Sequence, residues 1–199
     1  METWLLPALL GLGLAAATGL RTFLPLLMLS AAAHFELFGI SLGESFAWVG
    51  STGALVALAI ATAAELLADL IPLVDNALGM FGTVSRPIAA AIAAGAVFTH
   101  LDPSTAVIAG IIVGAPTALA FSAAQTGTRA VSTATTGGLA NPALSVIEDG
   151  VSFGMVLVAF LLPLLVPLVL GLMLWFAWKG ARRVRHRFSP GSGRPTRSV

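Results

Sequence analysis

Apolar residues run along this chain in long blocks separated by short polar stretches. Five blocks, at residues 4–33, 47–73, 87–101, 105–124 and 151–178, approach or exceed the roughly 20 residues needed to cross a hydrocarbon core about 30 Å thick. Their lengths differ in what they imply. As one helix the first would extend about 45 Å, so it must tilt or break, and Gly19 and Pro25 on either side of Arg21 mark the place for a break. The second carries Glu65 and Asp69 in its last third, just ahead of Pro72. The third is short, about 22 Å of helix, and is read as starting at Pro87 behind an interfacial Arg86. The fourth is uncharged. The fifth contains Pro163 and Pro167 and ends at Trp175 and Trp178, suited to an interfacial aromatic belt.

Between the fourth and fifth blocks, residues 125–150 read QTGTRAVSTATTGGLANPALSVIEDG. The stretch is rich in Thr, Ser and Gly but poor in charge, which suits neither a solvated loop nor a lipid-facing helix. It is read as a broken or re-entrant segment, since irregular backbone at membrane depth needs protein or a watery cavity around it; the plainer alternative is a polar surface loop. The expected fold is all-α: a polytopic transmembrane bundle of four to six helices, about five, occupying residues 1–178.

Composition supports this class. Hydrophobic residues make up 57% of the 199 and charged residues only 10%, against about 25% in soluble domains. There is no cysteine, which removes disulfides, thiolate catalysis and Cys-type zinc sites. The N-terminus lacks the basic region of a secretory signal, so the first block is read as a retained span. No metal site is expected from His34-x-Glu36 or His100-x-Asp102. No Walker loop, G-x-S-x-G or dinucleotide fingerprint occurs. The reading therefore includes no enzyme activity, no cofactor and no nucleic-acid partner.

The net charge of +1 conceals a segregation. Seven of ten basic residues follow Ala177, leaving the body with Arg21, Arg86 and Arg129 against all nine acids, a formal −6. The tail, residues 179–199, is read as disordered, cytoplasmic by the positive-inside rule, and attractive to anionic head groups. Within the body, an Arg or Asp at the centre of a span costs at least about 2.5–3.5 kcal/mol. Glu65 and Asp69, spaced i and i+4, share one helix face, which calls for partner arginines, a bound cation or a protonated carboxyl. Arg129, in the polar stretch, is the strongest candidate for a functional cation, because a guanidinium can hold a carboxylate or phosphate bidentately. Asp75 and Asp149 suit helix caps.

Two strings recur in order. Thr18-Gly19-Leu20-Arg21 matches Thr126-Gly127-Thr128-Arg129, and Ile40-Ser41-Leu42-Gly43-Glu44 resembles Leu144-Ser145-Val146-Ile147-Glu148. They suggest two related halves, residues 4–73 and 105–178, joined by a short segment, 86–101. If that segment crosses the membrane, the halves are inverted, as in many secondary transporters; if it re-enters, they are parallel.

TGLRTFLPLL, the series Glu65, Asp69, Pro72 and Asp75, SRPIAAA, and TTGGLANPALSVIEDG together resemble the DUF4126 family of bacterial integral membrane proteins. That resemblance brings a membrane location but no established activity. It implies that Arg129, Asn141, Glu148 and Asp149 belong to one site. Asn141-Pro142-Ala143 is also similar to the aquaporin box, but the second box that a water channel needs is missing.

The function expected is a secondary transporter or flippase-like carrier in the cytoplasmic membrane. Arg21 and Arg129 attract an anionic group, Glu65, Asp69, Glu148 and Asp149 take a coupling proton or cation, and Asn141 lines the cavity. Its partners are the lipid bilayer and a small solute, ion or lipid head group, and homo-oligomerisation is compatible with the sequence. The alternatives are a membrane scaffold or assembly protein and a lipid-acting membrane enzyme.

Overall fold

A computed structural model describes residues 2–69 and 72–188, and among them the chain is helical throughout, without strands. Seven α-helices follow in order: α1 (Glu2–Leu20), α2 (Leu24–His34), α3 (Thr52–Ala68), α4 (Pro72–Ala96), α5 (Pro103–Thr136), α6 (Asn141–Leu161) and α7 (Val166–Phe188). Short 3₁₀ segments at Leu37–Gly39, Glu44–Gly50 and Pro163–Leu165 connect them. Three stretches, Pro103–Thr136, Asn141–Leu161 and Pro163–Gly180, are long and apolar enough to span a membrane. Among the described residues the pair Glu44–Gly50 and Thr52–Ala68, bent by 63°, is long and apolar enough only when taken together, as a broken span or a re-entrant loop. Large apolar side chains face outward, among them Ile108, Ile112, Leu164, Leu168 and Phe176. This is a helical membrane bundle.

The first helix lies at its centre. α1 packs against α4, α5 and α6 and touches α7, and Leu14, Ala15, Ala17 and Thr18 have no exposed surface. Small residues around its circumference make this possible, because association inside a bilayer depends on close backbone approach. A Cβ on Gly19 would lie 2.7 Å from Ala118 O, and one on Gly13 2.8 Å from the Ala159 methyl. The α4–α5 contact is built the same way, with Gly110 and Gly114 seated on the backbone of Ala90, Ala91 and Gly95.

Several expected boundaries shift. The first block breaks between Leu20 and Leu24, the place marked by Gly19 and Pro25. The second is two segments: Ser51 caps α3, accepting from Ala54 N–H at 3.1 Å. The third does not start at Pro87; α4 begins at Pro72 and runs through Pro87, as spanning helices can when neighbours accommodate the lost bond. The fifth divides at Leu162 (φ −142°, ψ 59°), where Pro163 disfavours a helical conformation in the residue before it. α7 continues past Trp178 as far as Phe188; residues 189–199, the rest of the expected tail, lie outside the described residues.

Residues 125–150 are helical on both sides of a short turn, neither irregular backbone nor a surface loop. α5 continues unbroken to Thr136, Gly137 and Gly138 turn at φ 63° and 87°, and α6 starts at Asn141. Positive φ at the residue after a helix is where glycine is favoured. The hydroxyls that gave the stretch its polar character bond back along the helix, Thr126 to Ser122 O (2.9 Å), Thr128 to Ala124 O (3.0 Å) and Thr136 to Ser132 O (2.8 Å), so a Thr-rich helix needs no water.

The recurring strings occupy unlike structures. Thr18–Leu20 ends α1 with Arg21 in the break after it, whereas Thr126–Arg129 lies inside α5, and residues 40–43 are irregular with Glu44 opening a 3₁₀ segment where 144–148 are helical. Outside the spans, Asp102 caps α5 by accepting from Thr105 N–H at 3.1 Å. The Thr105 hydroxyl and amide together hold its carboxyl below the usual range.

Candidate functional site

The break between α1 and α2 exposes two sets of backbone groups, the last carbonyls of one helix and the first amides of the next. Side chains from four other helices meet both. On the carbonyl side, Ala17 O accepts from Ser152 Oγ (3.1 Å), Gly19 O from Arg86 Nη1 (3.4 Å) and Leu20 O from Gln125 Nε2 (3.2 Å). On the amide side, the Glu65 carboxylate accepts from Thr22 N–H at 2.9 Å with one oxygen and from Phe23 N–H at 3.1 Å with the other. A cation thus stands at the negative end of α1 and an anion at the positive start of α2, the polarity that helix dipoles favour.

Arg21, only 1% exposed, sits in the break itself. Its Nη1 pairs with Asp69, Nε lies 2.5 Å from Asp149 Oδ1, and Nη2 donates to Ser145 O at 2.9 Å. Arg129 on α5 holds Glu148 on α6, with Nη2 at 2.6 Å from Oε2 and Nε at 3.2 Å from both oxygens; Nη2 also donates to Ser145 Oγ at 2.7 Å and lies 3.9 Å from Asp69 Oδ2. Gln125, one turn before Arg129, donates to Glu148 Oε2 at 2.6 Å and accepts from Arg86 through Oε1. Arg86 further donates to Ser122 Oγ at 3.0 Å. These groups surround a cavity of about 70 Å³ lined by Arg21, Thr22, Glu65, Asp69, Arg86 and Arg129 among others, room for a few waters or a small ion.

Six of the seven residues expected from sequence therefore come together: Arg21, Glu65, Asp69, Arg129, Glu148 and Asp149. The shared face of Glu65 and Asp69 brings one to the helix-break amides and the other to Arg21. Asn141 does not join them. It opens α6, two turns before Glu148 and about 10 Å away along the axis, and its Nδ2 donates to Thr133 Oγ1 at 3.1 Å beside the α5–α6 turn. The side chain of Asp75 lies outside the described residues. Arg86, Gln125 and Ser145 were not anticipated. Reading Pro87 as a helix start left Arg86 at an interface, and reading residues 125–150 as irregular hid the i, i+4 relation of Gln125 to Arg129.

Among the described residues no group of three or more His, Asp or Glu is arranged to hold a metal ion. The chemistry available is that of guanidinium, carboxylate and amide groups: among the described side chains, four carboxylates against three arginines, one negative charge in excess.

No curated protein and no solved structure is similar to this chain. The residues of the charged cluster, from Arg21 in the break after α1 to Asp149 on α6, all fall within residues 8–183, which match the model of a family described as a domain of unknown function; the chain belongs to that family, DUF4126.

Proposed function

We propose that this membrane protein is a secondary carrier of the cytoplasmic membrane, moving a small solute with a proton or cation as the coupling species. The observation that carries the reading is the meeting of Arg21, Arg86, Arg129, Glu65 and Asp69 around a cavity at a broken helix, with Glu148 and Asp149 paired to Arg129 and Arg21 behind them, inside a bundle whose outer faces are apolar. Buried charge is expensive, and a fold needing only stability is served as well by apolar packing. The excess carboxylate gives the coupling ion a place to bind, and discontinuous helices with complemented ends are the usual architecture of carrier sites.

The test is uptake by reconstituted liposomes of a panel of radiolabelled small anions, cations and neutral solutes, under an imposed inward proton gradient. At least one solute should accumulate above protein-free liposomes, and Glu65→Gln, Asp69→Asn and Arg129→Gln should each abolish the excess while inserting normally. Accumulation that survives all three changes, or none for any solute, overturns the reading.

A second reading draws on the internal pairing of the cluster. Arg21 and Arg129 both hold carboxylates within the chain, which is also how a membrane assembly protein would tie its helices. In that case the three neutralisations lower stability or partner recovery and there is no flux to lose.

A further inference from the structure

The way Glu65 is held identifies a ligand class. Its two oxygens bridge consecutive backbone amides, Thr22 N–H at 2.9 Å and Phe23 N–H at 3.1 Å, a geometry that matches a planar carboxylate. No arginine lies within ion-pair distance of it among the described contacts, whereas Asp69 and Asp149 share Arg21 and Glu148 is held by Arg129. Glu65 is therefore the carboxylate held directly by backbone amides, with Arg86 acting on it from a distance. Arg86 lines the same cavity, donates to Gly19 O, Ser122 Oγ and Gln125 Oε1, and is attracted most strongly by Glu65 among the carboxylates, without a direct ion pair to it among the described contacts.

We infer that the cavity is a binding site for a small monovalent carboxylate, which replaces the side-chain carboxylate of Glu65 at the Thr22 and Phe23 amides, beside Arg86, when Glu65 takes up a proton. The exchange conserves charge. Before it the site holds the Glu65 anion; afterwards it holds neutral Glu65 and the ligand anion, so one proton and one carboxylate enter together with no net charge added to a low-dielectric interior. The groups facing Glu65 remain as they were: Arg21 at the break, Asp69 on α3, Arg86 on α4, Gln125 and Arg129 on α5, and Glu148 and Asp149 on α6. A cavity of about 70 Å³ restricts the ligand to the smallest carboxylates. This deepens the carrier reading, on which it rests for movement of the ligand across the membrane but not for binding.

The experiment uses formate as probe on the full chain in detergent. In Glu65→Ala the amides lose their carboxylate, and sodium formate should raise the melting temperature saturably where sodium chloride of equal ionic strength does not. Adding Arg86→Gln should weaken the formate effect by about tenfold or more, the loss of one charge-assisted hydrogen bond. Wild-type protein gives a reading independent of how well that variant folds: line broadening of ¹³C-formate should show saturable binding that tightens by about tenfold for each unit of falling pH while Glu65 is ionised, the signature of one linked proton. Equal effects of formate and chloride on Glu65→Ala, or wild-type binding that is absent or independent of pH, overturn the inference. Formate that binds in this way in a protein without uptake of any solute removes the carrier reading and leaves the site; uptake of other solutes without formate binding removes the site alone.

Discussion

Arg21 and Asp69, 48 residues apart in the chain, form an ion pair whose side chains are 2% and 7% exposed. The two halves of that pair are not equivalent, because Arg21 also holds Asp149 and the cluster already carries one carboxylate more than it has arginines. Removing the guanidinium takes the close partner from buried Asp69, which keeps only Arg129 at 3.9 Å, and from half-buried Asp149; removing Asp69 brings the described cluster to neutrality. Arg21→Gln should therefore cost about 3–5 kcal/mol, the range for stripping a partner from a buried ion pair, and Asp69→Asn less than about half as much. Thermal unfolding in detergent measures both, and equal losses would refute the charge count.

The α4–α5 interface rests on two missing side chains. A Cβ at Gly110 or Gly114 would overlap the backbone of Ala91 or Ala90, and rigid backbone cannot yield as a side chain does. Gly127, on the same helix, has nothing within 4 Å of a Cβ. Gly114→Ala should then destabilise by about 1–3 kcal/mol or more through overpacking, while Gly127→Ala should be neutral or stabilising by up to about 1 kcal/mol from helix propensity. The opposite sign of the two changes is the result to look for in melting temperatures.

Periodicity and composition carried the fold class, because a chain so apolar can satisfy its backbone in lipid only as helices. They also carried six of the site residues, since charges within apolar runs are conspicuous. What they could not carry was tertiary. Gln125 is an unremarkable polar residue until α5 is known to pass it continuously beside α6, where it links Arg86 to Glu148. Thr126, Thr128 and Thr136 made the stretch look irregular, although their hydroxyls are absorbed by carbonyls one turn back. Asn141 shared a motif with Glu148 and Asp149, yet two turns of helix take it to the inter-helix turn instead of the cavity. The central position of α1 rests on Gly11, Gly13 and Gly19 meeting partners from four different helices, and one-dimensional patterns do not record which partners those are.

Topology can be checked from the C-terminal side. α7 extends to Phe188, with Lys179 Nζ 4.5 Å from the centre of the Trp175 ring and the Arg182 guanidinium 4.1 Å from that of Trp178. Indole rings favour the membrane interface, and seven cations after Ala177 favour the cytoplasmic side. A green fluorescent protein fused after Val199 should fluoresce in intact cells, and alkaline phosphatase fused at the same place should be inactive. The reverse pattern would place the basic helix outside and overturn the proposed orientation.

Gly82 offers a way to move Arg86 without touching its charge. The two are one helical turn apart, and a Cβ at Gly82 would lie 3.1 Å from Arg86 Nε and 3.4 Å from Cζ, with the guanidinium resting against the bare Cα. The neighbour here is the far end of a flexible side chain, so Gly82→Ala should not unfold the protein, and replacing a helical glycine should gain up to about 1 kcal/mol. What it should disturb is the aim of Arg86 at Gln125, Ser122 and Gly19 O. If Arg86 positions a ligand, Gly82→Ala should weaken ¹³C-formate binding severalfold at an unchanged or higher melting temperature, and Arg86→Lys, which keeps the charge but loses the planar fork, should weaken it as well. Unaltered binding in both variants would assign Arg86 to holding α4 against α1 and α5, with no part in the site.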